Sequence, residues 1–90
     1  MTLDVVRERI DALDARIVEL MADRQRWVET AGRLKADEQA VRAPARVEQV
    51  IAKVRALAED RGASPDVVER TYRAMIAAFV DLELETHRGA

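Results

Sequence analysis

The chain has 90 residues, room for one domain (1–90) that buries only a modest share of its own surface. Its 15 Lys and Arg against 17 Asp and Glu give a net charge of -2, with both signs interspersed, so nothing draws it to nucleic acid or to a membrane surface. The lack of cysteine excludes a disulfide framework and a thiolate zinc site, and the single His87 cannot build a histidine metal cluster.

The first predicted helix runs from Leu3 to about Lys35. Its apolar positions Leu3, Val6, Ile10, Leu13, Ile17 and Leu20 recur at alternating steps of three and four residues, a heptad seam. The next position of that series is Arg24, a cation where a hydrophobe belongs, after which Trp27, Ala31 and Leu34 resume the pattern. Gly32 lies inside this helix, where it costs about 1 kcal/mol against alanine, and is expected to allow a close approach of backbone or ligand. The second helix starts at Pro44, a favourable first helical position, and carries Val47, Val50, Ile51, Val54, Leu57 and Ala58 on one face. Gly62 is placed to end it in a left-handed conformation, and Ser64-Pro65-Asp66 then caps and opens a third helix. That helix carries Val68, Tyr72, Met75, Ile76 and Phe79 on one face, and the next step of the stripe reaches Glu83. Strand and hairpin signals are absent, so the fold class is all-α. No run approaches the roughly 18 apolar residues of a membrane span, and the opening Met1-Thr2-Leu3-Asp4 does not resemble a secretory leader, so a cytoplasmic location without membrane attachment is expected.

A helix of roughly 33 residues is about 50 Å long, whereas a compact chain of this size has a radius of gyration near 12 Å. Two shorter helices cannot cover the whole seam. Its far part is expected to pack on a second subunit in an intertwined homodimer of three helices per chain, the alternative being a helix broken near Gly32 in a monomeric bundle.

Arg24 and Lys35 are 11 residues apart, which places them within roughly 20° of each other on one helix face. Arg7, 17 residues before Arg24, lies about a quarter-turn off that face and would serve another cavity, or the partner's. Arg46 sits in the first turn of the second helix, and Glu83 comes in from the third. Arginine grips a carboxylate bidentately and lysine supplies a point charge, so such a pocket suits a small dicarboxylate. There is no nucleophile–base pair and no metal-ligand spacing, so chemistry here would rest on positioning and electrostatic stabilisation. Each residue also has a plainer role: Arg7 and Arg46 as solvated cations, Arg24 and Lys35 as stems packed with exposed heads, Glu83 as a surface acid near the chain end. By the same standard Trp27 and Tyr72 are expected in the core, His87 in the tail, and Ser64 as a cap.

The run Arg7-Glu8-Arg9-Ile10-Asp11-Ala12-Leu13-Asp14, followed by Asp23-Arg24-Gln25 and Gly32-Arg33-Leu34-Lys35, resembles the opening helix of the type II chorismate mutases. The likeness extends over nearly the whole chain, through the turn at Gly62 and the third helix. It implies an intertwined dimer that rearranges chorismate to prephenate without cofactor. It also implies roles: Arg7 of the other subunit and Arg24 on the two carboxylates, Lys35 on the ether oxygen and a carboxylate, and Arg46 in support. Glu83 falls at a position, usually Gln, that hydrogen-bonds the ether oxygen. Because that oxygen only accepts, Glu83 must be protonated to donate, and activity is expected to rise as pH falls below about 7. Where many relatives place acids at the start of the second helix to hold the substrate hydroxyl, this chain has Ala43 and Val47. The stretch from Lys35 to Val47 is closer to the isochorismate pyruvate lyase branch, which releases pyruvate and forms salicylate, and a third branch acts on 4-amino-4-deoxychorismate. A non-catalytic helical dimerisation or regulatory module is the alternative of another class, and retention of Arg7, Arg24, Lys35 and Arg46 together argues against it.

Overall fold

In a computed structural model, which describes residues 1–89, the chain is all-helical. It comprises α1 (Leu3–Leu34), a short α2 (Glu38–Arg42), α3 (Pro44–Arg61) and α4 (Pro65–His87), with no strand among the described residues. The three long helices follow the sequence expectations closely. Thr2 caps α1 by accepting the Val5 N–H, and Lys35 ends the helix one residue early by turning extended. Gly62 closes α3 in the left-handed region at φ 76°, the Ser64 hydroxyl accepts the Val67 N–H, and Pro65 opens α4. The addition is α2, capped by the Asp37 carboxylate on the Ala40 N–H at 2.8 Å. Five residues are too few to show a 3.6-residue period, so only the capping Asp37 signalled it.

α4 is the organising element: α3, α1 and α2 all pack on it. The core is small, consisting of Val41, Ile51, Val54, Ala58, Phe79 and Leu84. On the outer face of the α3–α4 hairpin, Arg73 bonds both carboxylate oxygens of Glu48 at 2.8 and 2.9 Å and also reaches Glu69, which Arg55 shares. These pairings hold the Glu48 and Glu69 carboxyls below their ordinary titration range, mainly through the Arg73 hydrogen bonds. They link α3 and α4, which run antiparallel to each other.

Most of the α1 seam finds nothing to pack on. Leu3, Ile10, Leu13, Ile17 and Leu20 are all at least half exposed. The chain extends 53 Å along its longest axis with a radius of gyration of 15.7 Å. It exposes 6956 Å², against roughly 5,300 Å² for a compact monomer of its mass. Gly32 does not break α1, which removes the bent-helix alternative. No helix is long and apolar enough to cross a membrane among the described residues.

Ala43 is both the end of α2 and the cap of α3, and it sits at φ 36°, ψ 62°. Alanine pays a steric penalty in this region that glycine does not. Ala43→Gly is therefore expected to raise the midpoint of thermal unfolding, by an amount equivalent to up to about 1 kcal/mol.

Candidate active site

The C-terminal third of α1, the α2–α3 junction and the middle of α4 enclose a cleft of about 330 Å³. Four of the five residues singled out in the sequence line it: Arg24, Lys35, Arg46 and Glu83. Their arrangement follows from helix geometry. Arg24 and Lys35 share a face of α1, and that face looks across the cleft at α4, which runs parallel to α1 here: Arg24 lies opposite Tyr72 and Phe79, and Gly32 opposite Glu83.

Arg24 occupies the seam position because its guanidinium rests on two aromatic rings. Its Cζ lies 5.4 Å from the Phe79 ring centre and 6.0 Å from that of Tyr72. Such stacking leaves the in-plane N–H groups free to donate to an anion. Neither aromatic lies in the core, where both were expected: Tyr72 is half-buried under Arg24, and Trp27 is 76% exposed at the cleft wall.

Glu83 is a buried acid, 4% exposed, not a surface residue near a fraying end. It sits there because α1 has no side chain at Gly32. A Cβ at Gly32 would lie 2.6 Å from the Glu83 Cγ, far inside van der Waals contact. The close approach expected of Gly32 is thus made by Glu83 itself. Lys35, at the point where α1 stops, donates from Nζ to Glu83 Oε2 at 2.9 Å. Burial makes an unpartnered carboxylate costly, so the pair is mutually dependent. One turn beyond Glu83, His87 is half-buried, and its Nδ1 lies 3.4 Å from the Gly32 carbonyl oxygen, so it closes the end of α1 instead of trailing in the tail. Arg88 then reaches Glu38 of α2 at 2.6 Å.

Among the described residues Arg46 bonds only Gln49, at 2.9 Å, and its side chain remains exposed at the cleft. Arg7 does not join the group within one chain. It lies 17 residues before Arg24 on a continuous helix, roughly 25 Å away along the axis. The remaining wall is apolar, with Val28, Val47, Val50, Ile76 and Val80. Ala43 and Val47 line the cleft at the start of α3, and Glu83 is the one acid among the lining residues. Arg42 lines it as well, a position the sequence pattern does not mark. Nothing in local periodicity marked it, since it belongs to the short α2. Such a recess, mostly apolar with cations converging on it, can hold a small dianion away from water and place a lysine–carboxyl pair against it. No cluster of three metal-ligating side chains occurs among the described residues.

Comparison with known proteins agrees with this picture. The profile of the family described as chorismate mutase type II matches residues 6–84. The chain is also 31% identical over 83 residues to an isochorismate pyruvate lyase of Pseudomonas aeruginosa, an alignment covering 92% of this chain and 82% of that protein.

Gly32→Ala tests the seating of Glu83. The added methyl group has to displace the Glu83 side chain or separate α1 from α4, so the free energy of unfolding in a urea titration should fall by about 1–3 kcal/mol. An unchanged value would mean that Glu83 does not occupy this notch.

Proposed function

We propose that this chain, which belongs to the chorismate mutase type II family, uses the cleft to bind chorismate and rearrange it to prephenate without cofactor. The observation that carries the reading is the Lys35–Glu83 pair, a buried carboxylate held at 2.9 Å by a half-buried ammonium in a cleft also lined by Arg24 and Arg46. The rearrangement is pericyclic: an ether C–O bond breaks as a C–C bond forms, with no proton transfer and no covalent intermediate. A protein can help in two ways. It can select the compact conformer of a flexible enolpyruvyl ether, and it can stabilise negative charge growing on the ether oxygen. Arg24 and Arg46 supply the grip on carboxylates. Lys35 supplies the charge, and Glu83 orients the ammonium, joining it on the ether oxygen when it carries a proton. The apolar wall excludes water, which strengthens each of these interactions.

The reading includes a homodimer in which Arg7 of a second copy completes the clamp. Two observations support it: the uncovered apolar seam of α1, and the distance between Arg7 and the cleft of its own chain. A two-fold partner lying along that seam would cover the seam and bring its Arg7 to the far end of α1.

A second reading, isochorismate pyruvate lyase, is favoured by the lyase relative and by Ala43 and Val47 standing where acids would hold the chorismate hydroxyl. Both reactions break the same kind of ether bond in a dicarboxylate, so the clamp would serve either. Chromatography of separate incubations with chorismate and isochorismate separates them: faster prephenate formation supports the mutase, faster release of salicylate and pyruvate the lyase.

With the preferred substrate, Lys35→Ala is expected to lower kcat by about 100-fold or more, as loss of one oxyanion donor does. Near-normal turnover would remove Lys35 from the chemistry. The shared site makes a sharper prediction. Arg7→Ala and Arg24→Ala homodimers should each be nearly inactive, yet unfolding and refolding them together should restore about a quarter of wild-type activity, because each heterodimer regains one intact site. No recovery on mixing would refute a site built from two chains.

A further inference from the structure

We infer that Arg42 is an additional ligand-binding residue of this cleft, and that it selects against ligands carrying a positive charge on the ring. The inference rests on the cleft being a site for an enolpyruvyl dicarboxylate, and it concerns the ring substituent that distinguishes such compounds from one another.

Arg42 is the last residue of α2 and lines the cleft, and its side chain has no carboxylate partner among the described residues. Three arginines of α3 and α4 are paired, Arg55 with Asp66 and Glu69, Arg73 with Glu48 and Glu69, and Arg61 with Asp60, whereas Arg70, away from the cleft lining, has no ion pair among the described residues. The backbone of Arg42 is held on both sides. Val41, only 2% exposed, anchors α2 in the core, and the left-handed Ala43 turns the chain directly into α3. From that fixed position the guanidinium can reach the cleft mouth and the solvent beside it.

The charge balance of the lining makes Arg42 more than a bystander. Arg24, Lys35, Arg42 and Arg46 face a single carboxylate, Glu83, and Lys35 already holds it. In the proposed reading Arg24, Arg46 and the second copy's Arg7 account for the grip on the two carboxylates, which leaves Arg42 for the rest of the ligand. A guanidinium only donates hydrogen bonds. It can therefore donate to a ring hydroxyl, whereas a ring ammonium offers no acceptor and is repelled. The adjacent positions, Ala43 and Val47, carry no charge that could offset that repulsion, and the partly apolar recess weakens screening. Discrimination here rests on a repulsive element as much as on an attractive one.

The test compares wild type, Arg42→Gln, Arg42→Lys and a remote charge control, Arg61→Gln, with chorismate, isochorismate and 4-amino-4-deoxychorismate. Wild type should prefer its better hydroxyl substrate to the amino compound by about tenfold or more in kcat/KM. Arg42→Gln should raise KM for the hydroxyl substrate by about tenfold with kcat little changed, and should shrink the preference over the amino compound by a similar factor. Arg42→Lys should retain most of the preference, and Arg61→Gln should behave as wild type. A merely structural Arg42, complementing the end of α2, would shift the unfolding midpoint and leave the preference alone, which overturns the proposal. Equal losses on all three compounds also overturn it. If wild type turns over none of them, calorimetric titration replaces KM by Kd. The same tenfold pattern then upholds the Arg42 contact while the catalytic reading fails, and identical affinities for wild type and Arg42→Gln overturn the contact.

Discussion

The arrangement of the cleft depends on the ion pair between Lys35 and Glu83, seated against the bare backbone of Gly32. Glu83 is the only buried charged residue among those described, and it is reached from the one point where α1 stops being helical. A buried carboxylate without a partner is strongly disfavoured, and so is a buried side chain forced against a Cβ. The pair therefore locks three things together: the end of α1, the late turns of α4, and the depth at which a charge can be presented inside an apolar recess. The neighbouring contacts of His87 with the Gly32 carbonyl and of Arg88 with Glu38 extend the same clasp to α2. Arg24 then falls over Tyr72 and Phe79 because α1 runs on in register from that anchor.

A second constraint opposes this one. The core is only a few side chains deep, yet α1 projects well beyond it with its seam exposed. Burial of apolar surface is the main stabilising term in a small domain, at roughly 25 cal/mol per Å². The proposed homodimer would cover that open stripe. The functional proposal meets the same condition, since the cationic cleft of one chain lacks Arg7, which lies on the projecting part of α1.

Much of the fold was legible because it rests on local rules. The 3-and-4 spacing from Leu3 to Leu20, the Ser64-Pro65 start and the Gly62 stop each act within a few residues, and each appears in the structure as expected. The charged positions interrupting apolar stripes, Arg24 and Glu83, were visible for the same reason: a violation of periodicity is itself periodic information. What escaped were features with little or no periodic signature. Five-residue α2 has no period to display, so Arg42 was invisible as a cleft residue. Trp27 was expected inside but stands exposed at the cleft wall, because the cleft leaves a gap there between α1 and the other helices.

The sequence alone determined the all-helical class, the bounds of the long helices and most of the basic set, because capping, helix periodicity and side-chain charge act over one or two turns. Only the tertiary structure decided that Glu83 is buried, that it faces Gly32 and Lys35, and that Arg42 joins the wall while Arg7 stays remote within a single chain. Those outcomes depend on how helices separated by nearly 50 residues are set against each other, and that relation is fixed by packing rather than by any local pattern.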